Sequence, residues 1–246
     1  MIITVTNQKG GCGKTTTAQT LCAGLAKQGF RALAIDADPQ TNFTYSAGIE
    51  KPEGNLYDLL TGAKETANCI TETPSGFDLI AGSIFLTNTG SELKADKLKK
   101  ALLEIKSQYN YIVIDTPPAL GMLTANALIA SDCVIIPMGA DVYSMQGLAQ
   151  LQGMIANARK HNPELYIAGI LLTRYTARTI INRQIKKDLE RVAARLGTKL
   201  FKATIREATA VKEVQLMKTD LFREYPKANV TKDFEAFIDE FLKVGA

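Results

Sequence analysis

Cysteine is scarce in this 246-residue chain: Cys12, Cys22, Cys69 and Cys133 are the four present. None stands at C-x-x-C or another close metal-ligand spacing, and a core of this size needs no disulfide staple, so free thiols are expected. The single histidine, His161, lies in the polar run Lys160-His161-Asn162-Pro163 and reads as a solvated loop residue. No apolar stretch approaches the roughly 20 residues of a membrane-spanning helix. No basic segment precedes the opening run Met1-Ile2-Ile3-Thr4-Val5, so that run reads as a first strand and not as a signal peptide. Internal repeats, low-complexity tracts and an obvious linker are missing too. What is there is ordinary for a soluble cytoplasmic protein, with 46% hydrophobic and 22% charged residues. The length fits one α/β domain over residues 1–246.

Directly after the first strand comes Lys9-Gly10-Gly11-Cys12-Gly13-Lys14-Thr15-Thr16. The common phosphate loop needs a glycine five residues before Gly13, and Gln8 stands there. The register fits the variant Lys-Gly-Gly-x-Gly-Lys-Thr instead, with an additional lysine, Lys9, five residues ahead of Lys14. Glycines at 10, 11 and 13 let backbone N–H groups turn onto a phosphate, and a helix opening near Lys14 adds its positive dipole end. Lys14 reaches the β and γ phosphates, and the Thr15 hydroxyl is suited to ligate Mg²⁺. Cys12 lies where a lowered thiol pKa is conceivable, although an ordinary small side chain at a tolerant position is the better reading.

Apolar runs recur at Ile2-Val5, Ala32-Ile35, Asp78-Ala81, Tyr111-Ile114, Cys133-Pro137 and Ala168-Leu172, with a weaker one at Lys199-Ala203. Helical patterns separate them: Thr15-Gln28, Glu92-Gln108, Leu123-Ala130, Met145-Lys160 and Ile180-Leu196. Strand–helix alternation of this kind predicts a doubly wound, mostly parallel sheet flanked by helices, a P-loop NTPase fold, with ligands at the strands' carboxyl ends. Residues 39–76 and 204–232 are the least regular and are expected to be mobile.

Two strands end in carboxylates. Tyr111-Ile112-Val113-Ile114 runs into Asp115-Thr116-Pro117-Pro118, the Walker B arrangement that holds Mg²⁺ through its waters. Ala32-Leu33-Ala34-Ile35 runs into Asp36-Ala37-Asp38-Pro39-Gln40, where Asp38 is free to orient or partly deprotonate an attacking water.

These segments, in this order, resemble the ParA/MinD family of deviant Walker A ATPases, the ParA branch in particular, over nearly the whole chain. The resemblance implies ATP and Mg²⁺ as cofactors. It implies that Lys9 crosses a homodimer interface to the other subunit's ATP, that Asp36 supports the metal shell and that Asp38 positions the hydrolytic water. Thr204-Ile205-Arg206-Glu207 resembles the family's nucleotide-base region, so Ile205 and Arg206 are cofactor-binding candidates beside residues 9–16; Arg174 joins them. The ParA branch forms ATP-bound dimers that bind double-stranded DNA without sequence preference, and a centromere-binding, ParB-like activator stimulates a slow hydrolysis. That use implies a nucleoid-associated cytoplasmic protein.

Charge is uneven. Residues 1–150 carry 11 Lys/Arg against 14 Asp/Glu, and residues 151–246 carry 18 against 11. Along Ile180-Leu196, Arg183, Lys187, Arg191 and Arg195 recur every four residues as one helical stripe, widened by Lys186 and preceded by Arg178. Such a stripe suits salt-sensitive phosphate contacts along duplex DNA. The alternative is a MinD-like or positioning ATPase that localises a protein complex on a surface. The C-terminal stretch Asp233-Phe234-Glu235-Ala236-Phe237-Ile238-Asp239-Glu240-Phe241 argues against a membrane partner, because its polar face is acidic and anionic lipid would repel it. No helix-turn-helix segment precedes Met1, so operator-specific repression is not expected. An iron–sulfur reductase and an ordinary P-loop kinase fit less well, for want of suitably placed cysteines and of an arginine-rich lid.

Overall fold

In a computed structural model, residues 1–89, 93–140, 147–176 and 180–243 are described. Eight strands form one sheet: β1 Ile2–Val5, β2 Ala32–Asp36, β3 Ile70–Glu72, β4 Asp78–Ile80, β5 Tyr111–Asp115, β6 Cys133–Gly139, β7 Tyr166–Thr173 and β8 Leu200–Thr204. Their order is β3-β4-β2-β5-β1-β6-β7-β8, and every pairing is parallel except β3 with β4. The expected doubly wound sheet is therefore present, with one antiparallel edge strand. Chain order reverses around β1, where an open α/β sheet leaves a crevice at its carboxyl edge.

The side-chain period of two divides each strand between two cores. Ile3, Val5, Ala32, Ala34 and Val113 face α1 (Lys14–Lys27), α8 (Thr209–Leu216), α9 (Leu221–Glu224) and α10 (Asn229–Leu242). Ile2, Leu33, Ile35, Ile112 and Ile114 face α3 (Leu56–Thr61), α4 (Lys97–Leu103) and α5 (Met122–Ala130). A third cluster continues that face under α6 (Leu148–Ala158) and α7 (Ile180–Arg195). Helix α10 lays Phe234, Phe237, Ile238 and Phe241 on the sheet, all buried, and the rings of Phe237 and Phe201 meet edge to face at 5.1 Å. Each such burial is worth about 1.5–3 kcal/mol. The acidic residues of α10 are spent on the protein itself. Glu235 pairs with Lys27 at 2.8 Å, and Glu240 accepts from the backbone N–H groups of Lys202 and Ala203.

Two expectations need correction. The segments 39–76 and 204–232 are not irregular: they carry α2 (Asn42–Ser46), α3, β3, α8 and α9. Their elements are short, and two of the helices begin at side-chain caps, which weak apolar periodicity hides. Asn55 and Asp58 form a capping box at α3, and Asp220 caps α9. The long helix expected over 92–108 is instead α4 followed by a separate 3-10 turn at Lys106–Gln108, with the chain leaving the helix near Ile105 before feeding β5. The expected helix starts Glu92 and Met145, and the DNA candidate Arg178, lie outside the described residues.

Candidate nucleotide site

Parallel register brings the functional ends together. Val5, Asp36 and Asp115 close three adjacent strands, with Asp115 the partner of both Val5 and Asp36. From Val5 the chain enters the glycine loop, whose base is pinned from several sides. Asn7 Nδ2 donates to the Pro137 carbonyl at 2.7 Å, and the Lys9 N–H donates to Asn7 Oδ1 at 3.2 Å. Thr173, at the end of β7, donates to the Cys12 carbonyl at 2.8 Å. Gly11 (φ 71°) and Gly13 (φ 86°) adopt the left-handed backbone that side-chain-bearing residues avoid, and Gly13 caps the N-terminus of α1. The first turn of α1 holds no acidic residue, so the dipole end is left for an anion.

Lys14 is buried, and its ammonium donates to the Lys9 carbonyl at 3.2 Å. Cys12 is buried as well, with its thiol donating to the same carbonyl. Burial raises the Cys12 pKa, and the nearby Lys14 charge only partly opposes this, so the thiol is not activated. All four cysteines are free and buried.

The acidic residues differ sharply. Asp36 accepts from the Thr44 N–H at 2.9 Å, the Thr44 hydroxyl at 2.7 Å and the Asp38 N–H at 3.2 Å. Burial nevertheless pushes its carboxyl up to about 6. Asp115 is fully buried, and no donor reaches either of its oxygens with hydrogen-bond geometry. Burial pushes it well above the usual carboxylate range and the Asp36 charge adds to the push. The Thr15 hydroxyl and the Lys14 ammonium, close enough to favour the ionised form, oppose it. A buried carboxylate without donors calls for a cation, and Thr15 supplies the neighbouring hydroxyl. Among the described residues no group of three His, Cys, Asp or Glu side chains could hold a metal.

Beside the loop lies a cavity of about 800 Å³, lined by Gly10, Gly11, Gly13, Lys14, Thr15, Thr16 and Asp38 on one side. Arg174, Ile205 and Arg206 line the other. Arg174 has a left-handed backbone (φ 51°) and bridges Glu207 at 2.8 Å while donating to the Gly11 carbonyl at 3.4 Å. The Arg206 guanidinium is held by Asp233 through bonds of 2.6 and 2.8 Å, so α10 anchors this wall. Sequence reading missed the contribution of α8: Val211, Lys212 and Gln215 line the cavity, and Gln215 Nε2 donates to Thr16 Oγ1 at 3.1 Å. Gln40 and Asn42 also line it, and the run Asp-Pro-Gln-x-Asn was their available signal.

The basic candidates Arg183, Lys186, Lys187, Arg191 and Arg195 sit on α7, and none of them lines this cavity. Lys186 is half-buried and the other four are exposed, while Ile185, Leu189 and Ala193 face the core. Arg191 pairs with Asp188 at 3.2 Å.

Phosphate loop, carboxylate-ended strands and sheet order together define the P-loop nucleotide-binding class. The AAA_31 family, an AAA domain, matches residues 1–167. The sporulation initiation inhibitor protein Soj of Bacillus subtilis is 42% identical over 213 residues, 83% of each chain. A plasmid partition protein from Borrelia burgdorferi solved with AMPPNP superposes with a TM-score of 0.82 at 30% identity, over 98% of both chains. Cobyrinic acid a,c-diamide synthase from Mycobacterium smegmatis, with a bound ATP analog and magnesium, gives 0.87 at 29% identity over 98% of this chain and 94% of that one. The chain belongs to the ParA/MinD family, and its relatives include Soj and ParA chromosome-partitioning proteins.

Proposed function

We propose that this protein is a DNA-partition ATPase, in which Mg²⁺ and ATP bind at the glycine loop and join two copies of the chain. The ATP-bound dimer holds nonspecific double-stranded DNA, and a centromere-binding, ParB-like activator speeds hydrolysis and release. The reading is supported by one observation above the others: Asp115, buried and without donors, ends the strand between β1 and β2 beside Lys14 and Thr15. Partition proteins among its relatives support partition as the use of that site.

In this scheme backbone N–H groups of residues 10–13 and the Lys14 ammonium hold the β and γ phosphates. The Thr15 hydroxyl and the Asp115 carboxylate would hold Mg²⁺, which would supply charge neutralisation at the phosphates. Asp36 buttresses that acidic cluster. Asp38 orients a water and accepts its proton as the water oxygen bonds to the γ-phosphorus. The bond from that phosphorus to the bridging oxygen breaks, leaving ADP and phosphate. Lys9 neutralises the phosphates of the partner copy's ATP, so hydrolysis loosens the dimer. The α7 stripe makes the DNA contact. The apolar face of α10 is buried and its Glu235 and Glu240 are engaged within the protein, which supports DNA rather than lipid as the surface bound; no described helix is long and apolar enough to cross a membrane. The test is phosphate release from ATP with and without Mg²⁺, with random duplex DNA and the activator added in turn. Turnover that is indifferent to Mg²⁺ would remove the proposed role of Asp115.

A further inference from the structure

The turn between β2 and α2 contains a lock that the nucleotide motifs do not name. The Thr44 hydroxyl donates to Asp36 Oδ2 at 2.7 Å and accepts from the Gly82 N–H at 2.8 Å. A hydroxyl has one proton, and the Gly82 N–H occupies its oxygen from the other side, so that proton is committed to Asp36. The Thr44 N–H reaches the same carboxylate oxygen at 2.9 Å, and Asp36 Oδ1 takes the Asp38 N–H. Both oxygens of Asp36 thereby accept hydrogen bonds from within the protein. Asp38 is in turn held by its own turn, accepting from Gln40 N–H at its carboxylate and from Thr41 N–H at its carbonyl.

Two further observations converge on the same carboxylate. Gly82 leaves room for it: a Cβ there would stand 2.9 Å from Asp36 Cγ and Oδ2. Thr41 holds a left-handed backbone (φ 54°) at the N-cap of α2, a conformation that persists in a non-glycine residue only when its surroundings over-determine it. The bonds at Asp36 and Thr44 bracket that residue. Asp36 and Asp115 are register partners, yet the first has three donors and the second none.

We infer that Thr44 is a positioning residue for hydrolysis: its hydroxyl clamps Asp36 against Gly82 and, through Asp36, sets the Asp38 main chain so that the Asp38 side chain lines the cavity, leaving Asp115 as the carboxylate open to the metal. The inference rests on the ATPase reading above. Thr44 touches neither nucleotide nor metal in this role, so its loss acts on turnover and not on ATP affinity.

The experiment compares the full-length chain with Thr44→Val, Thr44→Ser and Gly82→Ala. Steady-state kcat, ATP affinity by equilibrium titration and thermal unfolding are measured for each. Valine keeps the shape and removes the proton, serine restores it, and alanine at 82 presses the carboxylate from the opposite side. Thr44→Val is expected to lower kcat about tenfold or more with ATP affinity within about threefold of the parent, and Thr44→Ser to keep kcat within about threefold. Gly82→Ala is expected to follow Thr44→Val. Should Thr44→Val fail to fold, Thr44→Ala is read by the same criteria. Unchanged kcat in Thr44→Val, equal loss in Thr44→Ser, or a loss of ATP affinity matching the loss of kcat would overturn the inference. The parent is assayed first, so a chain that does not hydrolyse ATP at all refutes the ATPase reading separately.

Discussion

The Lys14 ammonium donates to the main-chain carbonyl of Lys9 at 3.2 Å, so the two lysines of the glycine loop are joined through the chain itself. The charge of Lys14 is thus held inside the loop, where phosphate oxygens can take the place of the carbonyl. Lys14→Ala removes the cation at the site and should weaken ATP binding by about a hundredfold, as expected for loss of a charge-assisted contact to phosphate. Titration of the variant with a fluorescent ATP analogue checks this.

Lys9 is assigned a different task. If its charge serves the partner copy, as proposed, Lys9→Ala should keep monomeric nucleotide affinity within about threefold while abolishing the ATP-dependent dimer. Sedimentation with a nonhydrolysable ATP analogue distinguishes the two lysines, and a Lys9→Ala dimer of normal stability would return Lys9 to an ordinary loop position.

Asp115 carries a penalty in the free protein. Its folded pKa is raised well above the ordinary 3.8 by burial, so the folded state holds its proton more tightly than the unfolded chain does. The group is neutral in both states below the unfolded pKa. As pH rises through the folded value, stability is lost. Asp115→Asn removes that charge and should raise the stability of the nucleotide-free protein by about 1–3 kcal/mol at pH 8, with a smaller gain near pH 5. The same variant should lose Mg²⁺-dependent turnover. Urea unfolding at the two pH values checks the first half, and a gain that is larger in acid would reverse the assignment.

Asp38→Ala should retain ATP binding and the dimer while lowering kcat by about a hundredfold, the scale of a lost general base. Single-turnover phosphate release measures it. Normal hydrolysis by this variant would move the water-positioning role to another residue.

Much of this was legible in the chain. The glycine loop, both carboxylate-ended strands and the basic helix over 180–195 announce themselves by strong apolar runs or fixed spacing, and each stands where that spacing says. Three features were not legible. The wall of the cavity formed by α8 lies in a segment whose periodicity is weak, and Gln215 meets Thr16 across 199 positions. The contrast between Asp36 and Asp115 depends on donors supplied by Thr44 and Asp38, which identical strand-end carboxylates cannot reveal. Arg206 carries a motif-like label, yet its guanidinium is bound by Asp233 from the last helix.

The α7 stripe gives a prediction in terms of salt. Arg191→Glu with Arg195→Glu should weaken duplex binding and flatten its dependence on salt, leaving dimerisation unchanged. Of the two, Arg195→Glu alone should have the larger effect, because Arg191 already shares its charge with Asp188. Fluorescence anisotropy at two ionic strengths checks both statements.

The most direct measurement of the account is binding of the wild-type chain and Lys9→Ala to random-sequence duplex DNA in the presence of Mg²⁺ with ATP, a nonhydrolysable analogue or ADP. A nucleotide-switched dimer predicts binding by the wild type with ATP or the analogue, none with ADP, and none by Lys9→Ala in any state. Equal binding with all three nucleotides, or unimpaired binding by Lys9→Ala, would contradict it.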